Sequence, residues 1–298
     1  MTPVAQPHTP IGKLVVIGVG LIGGSFALAL KQSGLVGHVV GVGRTRRNLD
    51  AALQLGVIDE ASLDPAAAVR GADLVLLGTP VGQMPEVMAA IAPALGPETV
   101  VTDGGSTKQD VIAYAKHFLP GHFARFVPAH PIAGTEKSGA AAAFPELFRD
   151  RNVILLPQPE TDAAALSLVR SAWEACGARI VELDAGQHDE IFAAVSHLPH
   201  VVAFALVSML AKRPDAATLL AHSGGGLRDT VRIAGSSPEM WRDICVANRE
   251  ALLKLLDSYT NELEIARTAI QNADAEALSE MFERARSARE RWLVKKPV

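Results

Sequence analysis

"KLVVIGVGLIGGSFALALKQ", residues 13–32, passes from a β-type run through three spaced glycines into an apolar helical stretch. The run from Lys13 is almost wholly apolar and rich in valine, as expected of a strand covered on both faces. Gly18, Gly20 and Gly23 then fall into a G-x-G-x-x-G spacing. Alone that spacing is weak, but between a strand and a helix it marks a dinucleotide-binding turn. Gly18 allows the tight turn, Gly20 lets a pyrophosphate approach the backbone, and Gly23 lets helix and strand pack closely. Leu21 and Ile22 open the helix, whose positive end suits an anion. A tight turn of purely structural use is the alternative.

The same alternation continues outward. Strand-like runs start at Lys13, His38, Asp73, Thr99, Ala124 (ARFVPAH), Asn152 and Ala178, with helical stretches between them. Strands alternating with helices imply a doubly wound parallel sheet. After Asp184 no strand-like run recurs. Asp184 to Gln187 reads as a capping box that opens a long helix. A second long helix is expected from Ser236-Ser237-Pro238-Glu239, with serine as cap and proline in the first turn. Its apolar residues recur at Ile244, Ala251, Leu255, Leu263, Ala266 and Ile270, so one helix of about 50 Å is expected. The fold expected is an α/β Rossmann dinucleotide-binding domain, residues 13–185, followed by an all-α helical domain, residues 186–298. Residues 1–12 read as a loose tail. Long apolar stripes on a short helical domain call for a partner to bury them, so a homodimer through that domain is expected.

The bulk numbers exclude several classes. The 298 residues carry a net charge of −4, with no basic block to attract nucleic acid or an acidic membrane. Cys176 and Cys245 form no CxxC or Cys/His metal pattern, which points to a reducing cytoplasm rather than a disulfide framework. The start of the chain lacks signal-peptide character. The apolar run near residues 201–211 is too short to span a bilayer.

The end of the second strand speaks to the cofactor. Val42-Gly43-Arg44-Thr45-Arg46-Arg47 contains no acid where a ribose-binding Asp or Glu would stand. An arginine beside a small hydroxyl residue suits the 2′-phosphate of NADP, with NAD as the other choice. A solvated basic turn is the alternative.

Polar residues gather in five further stretches. Thr79-Pro80, DGGSTK (103–108) and the His130 segment FVPAHPIAGTEKSG (126–139) follow the third, fourth and fifth strand runs. That edge of an open parallel sheet is where ligands bind. SHLPH (196–200) interrupts an apolar helix. Pro199 must disturb the helix there, and His197 and His200 share one face. No cysteine or carboxylate pattern completes a metal site with this histidine pair. In GGGLRDTVRIA (224–234) the glycines suggest an irregular close-approach segment. Arg228 and Arg232 lie four apart, and one of them suits bidentate carboxylate binding while the other suits a structural ion pair.

GVGLIGGS, DGGSTK, HPIAGTEKSG, SHLPH, GGGLRDTVRIA and PEMWRD, in this order, resemble the prephenate dehydrogenase family, which includes the arogenate and cyclohexadienyl dehydrogenases of tyrosine biosynthesis. The resemblance runs from about Lys13 to the last helix. It implies oxidative decarboxylation of a cyclohexadienol, with hydride transfer to NAD(P). It implies His130 as base for the ring hydroxyl and Ser106 as the group that orients it. Arg232 would hold the ring carboxylate, while Ser196, His197, His200 and Trp241 would line the substrate pocket. Thr135 would reach the pocket, Glu136 would gate it, and Thr79 and Pro80 would lie near the nicotinamide. Neither prephenate nor arogenate is favoured by the sequence. Other readings of the two-part plan are a β-hydroxyacid dehydrogenase, an imine reductase or a dinucleotide-binding redox sensor.

Overall fold

The computed structural model describes residues 11–135 and 137–294. It divides into two compact units, one through Arg249 and one from Glu250 onward.

In the first unit, β1 (Ile11–Ile17), β2 (Val36–Val42), β3 (Glu60–Ser62), β4 (Leu74–Leu77), β5 (Val100–Asp103) and β6 (Phe126–Val127) form a parallel sheet in the order β3-β2-β1-β4-β5-β6. The unbroken apolar runs follow from burial on both faces. In β1, Leu14 and Val16 pack into one core while Val15 and Ile17 pack into the other. In β4, Leu74 and Leu76 divide from Val75 and Leu77 in the same way. Helices α1 (Leu21–Gln32), α2 (Arg46–Gln54), α3 (Pro65–Ala68), α4 (Met84–Ile91), α5 (Gln109–Phe118) and α6 (Ala163–Ala175) connect or cover the strands. The three-residue β3 escapes the sequence reading because EAS carries no β signature.

Two expectations need correction here. ARFVPAH is not one strand. Its first part ends in β6, and Ala129–Pro131 forms β7 of a separate three-stranded sheet, ordered β7-β8-β9 with β8 (Asn152–Leu155) and β9 (Arg179–Glu182). Pro128 separates the two strands, since it has no amide to continue a ladder. β7 pairs antiparallel to β8, with His130 opposite Ile154. The loose tail does not extend to residue 12, because β1 begins at Ile11 and the Lys13 amide is bonded to Asp73. Residues 1–10 lie outside the described residues.

The chain then turns helical with α7 (Ala185–Phe192), α8 (Leu198–Ala211), α9 (Ala216–Ala221), α10 (Gly225–Val231) and α11 (Pro238–Ala247). Asp184 caps α7 by accepting from the Gln187 amide at 2.9 Å, the forward half of the expected box. Ser237 caps α11 from one residue before Pro238. The disturbance expected at Pro199 is a π turn, Ala193–His197, in which the Leu198 amide reaches back to the Ala193 carbonyl. Widening the turn spares the clash of the Pro199 ring with the carbonyl four residues earlier. Residues 185–211 thus form a helical run of 27 residues, long and apolar enough by length and composition to cross a bilayer. Length therefore gives no case against a membrane.

GGGLRDTVRIA is regular rather than irregular. Gly224 precedes α10, and added β-carbons at Gly224, Gly225 and Gly226 would meet nothing within 4 Å. Arg232 opens a 3-10 turn immediately after the helix.

The single long helix expected from Ser237 is also broken. α11 ends at Ala247, Asn248 adopts φ −102° and ψ 33°, and α12 (Arg249–Gln271) begins anew. The Asn248 side chain is buried and bonded to α7 and the π turn, so tertiary bonds override helix continuity. The second unit comprises most of α12 and α13 (Ala275–Val294), with Asp274 capping α13 through the Ala277 amide. Leu253, Leu263, Ile265, Ile270, Phe282 and Trp292 are exposed on these helices.

Candidate active site

The glycine turn has the geometry a dinucleotide requires. Gly18 has φ +100°, and a β-carbon there would lie 2.6 Å from the Gly78 carbonyl. A β-carbon at Gly23 would lie 2.4 Å from the Gly18 carbonyl oxygen. Gly20 differs, since a β-carbon there meets nothing within 4 Å, so open space faces the backbone. α1 begins at Leu21 and Ile22 without a side-chain cap or an acid in its first turn. Uncapped amides at a positive helix end, facing open space, fit a pyrophosphate. Arg44 and Thr45 follow β2 and are exposed. Arg44 pairs with Glu239 of α11 at 3.5 Å, and Gln83 donates to the same carboxylate at 3.1 Å. Thr79 and Pro80 follow β4, and the Thr79 hydroxyl is buried without a protein partner.

His130 sits in the middle of β7, with Pro131 holding it in extended backbone. The residue is 9% exposed, and its ring packs edge-on against Phe192. Nδ1 lies 2.8 Å from His188 Nε2, and His188 Nδ1 lies 2.8 Å from Asp189 Oδ1. Asp189 also accepts from the Lys108 amide at 2.9 Å and the Gln109 amide at 3.0 Å. Its own carbonyl accepts from Asn248, which lies 3.2 Å from His197 Nδ1. Trp241 continues the series, with the His197 ring at 6.1 Å and the His200 ring stacked at 3.5 Å. His200 Nδ1 donates to the Ser196 carbonyl at 2.9 Å. The charge of Arg232 reaches His200. These contacts connect His130, His197, Ser196, His200 and Trp241 in one cluster, within reach of the Arg232 charge.

Burial sets the charge states. It pushes the His130 imidazole well below its usual range, helped by the proximity of His188, Lys108 and His197. It pushes His197 down to about 4. His188 is also lowered by burial, which outweighs its bond to Asp189. His200 is lowered by burial and by Arg232, against the Ser196 carbonyl. Burial raises the Asp189 carboxyl, but the bonds from His188, Gln109 and Lys108 outweigh it and the net shift is downward. At neutral pH the histidines are neutral and Asp189 is an anion.

DGGSTK has a second task that the sequence did not disclose. Asp103 and Lys108 form an ion pair with no solvent exposure. Asp103 accepts from the Gly105 and Ala129 amides, and Lys108 donates to the Ala129 carbonyl. The pair ties the β5 loop to the residue before His130. Ser106 lies half-buried on that loop. Thr135 is exposed after β7, and its hydroxyl accepts from the Lys137 amide. Glu136, expected to gate the pocket, lies outside the described residues.

Sequence reasoning missed His188, Asp189 and Asn248. The first two gave little signal, since they stand among other polar residues, Gln187 and Glu190, in α7. Asn248 gave none.

A dinucleotide turn at the strand ends of a parallel sheet, with a buried neutral histidine three residues past β6, fits an oxidoreductase that uses a nicotinamide cofactor. Residues 26–182 match the family model for the prephenate dehydrogenase nucleotide-binding domain, and residues 184–284 match the prephenate dehydrogenase dimerization domain. The chain is 40% identical to the cyclohexadienyl dehydrogenase of Zymomonas mobilis, over 93% of this chain and 94% of that one. It is similar to the crystal structure of A. aeolicus prephenate dehydrogenase in complex with hydroxyphenyl propionate and NAD+, with TM-score 0.84 and 34% identity over 97% of this chain and 99% of that one. Synechocystis arogenate dehydrogenase gives TM-score 0.75 and 30% identity, covering 94% and 99%. The chain belongs to the prephenate dehydrogenase family. Membership sets aside the hydroxyacid dehydrogenase, imine reductase and redox-sensor readings.

Proposed function

We propose that the protein oxidises prephenate, arogenate or both, with loss of the ring carboxylate as CO2 and hydride transfer to NAD(P)+. The products are 4-hydroxyphenylpyruvate or tyrosine. The observation that carries this reading is the neutral, buried His130, mounted at the sheet edge of a chain whose relatives are prephenate, arogenate and cyclohexadienyl dehydrogenases. A bound nicotinamide would supply the acceptor for the hydride of the hydroxyl-bearing ring carbon. Gly18, Gly20, Leu21, Ile22 and Gly23 would hold the pyrophosphate, and Thr79 and Pro80 would flank the nicotinamide. His130 accepts the hydroxyl proton, and Ser106 orients that hydroxyl. The C–COO− bond then breaks, and its electron pair aromatises the ring and leaves charge on the oxygen, which recovers a proton. Neutral His130 suits proton acceptance at working pH.

Arg232 holds the carboxylate that departs, with Ser196, His197, His200, Thr135 and Trp241 around the substrate and Glu136 as gate. The stack of His200 on Trp241, together with the nearness of Arg232 to His200, supports this pocket. Arg44 and Thr45 favour NADP over NAD. The domain division near residue 185 agrees with the two family models, and the exposed apolar residues of α12 and α13 support a homodimer through the helical domain. Free Cys176 and Cys245 suit the cytoplasm.

Reduced nicotinamide is measured by absorbance with prephenate, arogenate and a β-hydroxyacid panel, each with NAD and NADP. Turnover of a cyclohexadienol and none of the hydroxyacids is expected. Turnover of a hydroxyacid alone overturns the reading.

A further inference from the structure

His188 and Asp189 have no part in the roles above, yet they are the buried titratable pair directly behind His130. We infer that they are positioning residues that fix the tautomer of His130, keeping its Nε2 as the proton acceptor and steadying the imidazolium formed when it takes a proton. The inference rests on the reading of His130 as the base.

The direction of each bond follows from the carboxylate. Asp189 is ionised and can only accept, so His188 Nδ1 must carry the proton of their 2.8 Å bond. Neutral His188 then has its lone pair on Nε2. That atom accepts the proton of His130 Nδ1 across the next 2.8 Å bond. Neutral His130 is left with its lone pair on Nε2, the nitrogen remote from His188. Without the carboxylate, two neutral imidazoles could bond in either direction, and one of those directions blocks Nε2 with a proton.

Facing the two rings are Asp103 and Lys108 from the β5 end, Asp189 from α7 and His197 from the π turn. Burial, His188 and Lys108 disfavour a charged His130, and Asp189 reaches that ring through the bonds of His188. When His130 takes a proton, its Nδ1–H bond to His188, backed by Asp189, becomes charge-assisted and stronger. Asp189 also bonds the Lys108 and Gln109 amides, which would suffice for a structural pin. A pin needs no histidine between it and His130, and His188 spends both ring nitrogens on that connection.

The test uses the full chain with two His188 variants. Gln can place its amide oxygen near the position of His188 Nε2 and still accept from His130, whereas Leu cannot. His188→Leu is expected to lose about 10²-fold or more in kcat, bounded by the worth of the base itself, about 10²–10⁴. Its KM for the cyclohexadienol should change less than about threefold, and His188→Gln should keep kcat within about tenfold of the parent. The 15N–1H correlations of 15N-histidine-labelled parent protein should show His130 protonated on Nδ1 at neutral pH. A parent His130 protonated on Nε2, full activity in His188→Leu, or equal loss in Leu and Gln variants overturns the relay. If His188→Leu does not fold, the parent tautomer and His188→Gln still decide. An active His130→Asn enzyme would instead remove the base itself, so the two failures are distinguishable.

Discussion

Lys108→Met tests how the site is held in place. Methionine keeps most of the lysine stem and its packing, so the change is close to removal of the charge alone. It leaves the Asp103 carboxylate fully buried with only the Gly105 and Ala129 amides as partners. Stranding one partner of a buried pair costs about 3–5 kcal/mol. The two amide bonds persist, so the lower end, about 3 kcal/mol, applies. In a unit of this size about 1 kcal/mol shifts Tm by about 2–4 °C, which gives a loss of about 6–12 °C. Differential scanning calorimetry and urea titration of parent and variant read this directly. Arg46→Met provides the contrast, because Arg46 pairs with Asp50 at an exposed i,i+4 position and should cost under about 0.5 kcal/mol. A Lys108→Met loss below about 1 kcal/mol, or one no larger than that of Arg46→Met, refutes the buried pair as the mount of the His130 segment.

Three further outcomes are expected. The base must be unprotonated to act, so kcat/KM rises with pH through its pKa and is flat above it. Burial holds His130 well below 6.5, so kcat/KM should already be on its plateau at pH 6.5 and fall only at lower pH; a limb centred at or above 6.5 contradicts this. Glu239→Gln frees Arg44 from an exposed ion pair worth up to about 1 kcal/mol, so KM for NADP should fall up to about fivefold while KM for NAD holds, by steady-state kinetics. Gly20→Ala meets open space and should leave Tm unchanged while raising the cofactor KM about tenfold or more, whereas Gly23→Ala, aimed at the Gly18 carbonyl, should lower Tm as well.

What could be read in the sequence was local. A strand, three glycines and a helix lie within twenty residues, so Gly18, Gly20 and Gly23 disclose their turn by spacing and immediate context. The caps at Asp184 and Ser237 are likewise short-range. The break at Asn248 was not legible, because its cause is a pair of bonds to Asp189 and His197, residues 59 and 51 positions away. The split of ARFVPAH was half visible in Pro128, but the second sheet that receives His130 depends on β8, more than twenty residues on. In the site, residues with distinctive chemistry at a strand end, such as His130, stood out. His188 and Asp189 did not, since a polar pair on a helix has meaning only when the opposite ring is in place. DGGSTK showed the reverse difficulty: its conspicuous charges, Asp103 and Lys108, are partners of each other and of Ala129.

The central claim is that this family member oxidises a cyclohexadienol with His130 as base. Its most direct test is kcat for His130→Asn with prephenate or arogenate, whichever the parent turns over, beside a thermal melt of both proteins. A loss of about 10²–10⁴-fold with an unchanged melt is predicted, and a loss of less than about tenfold would contradict it.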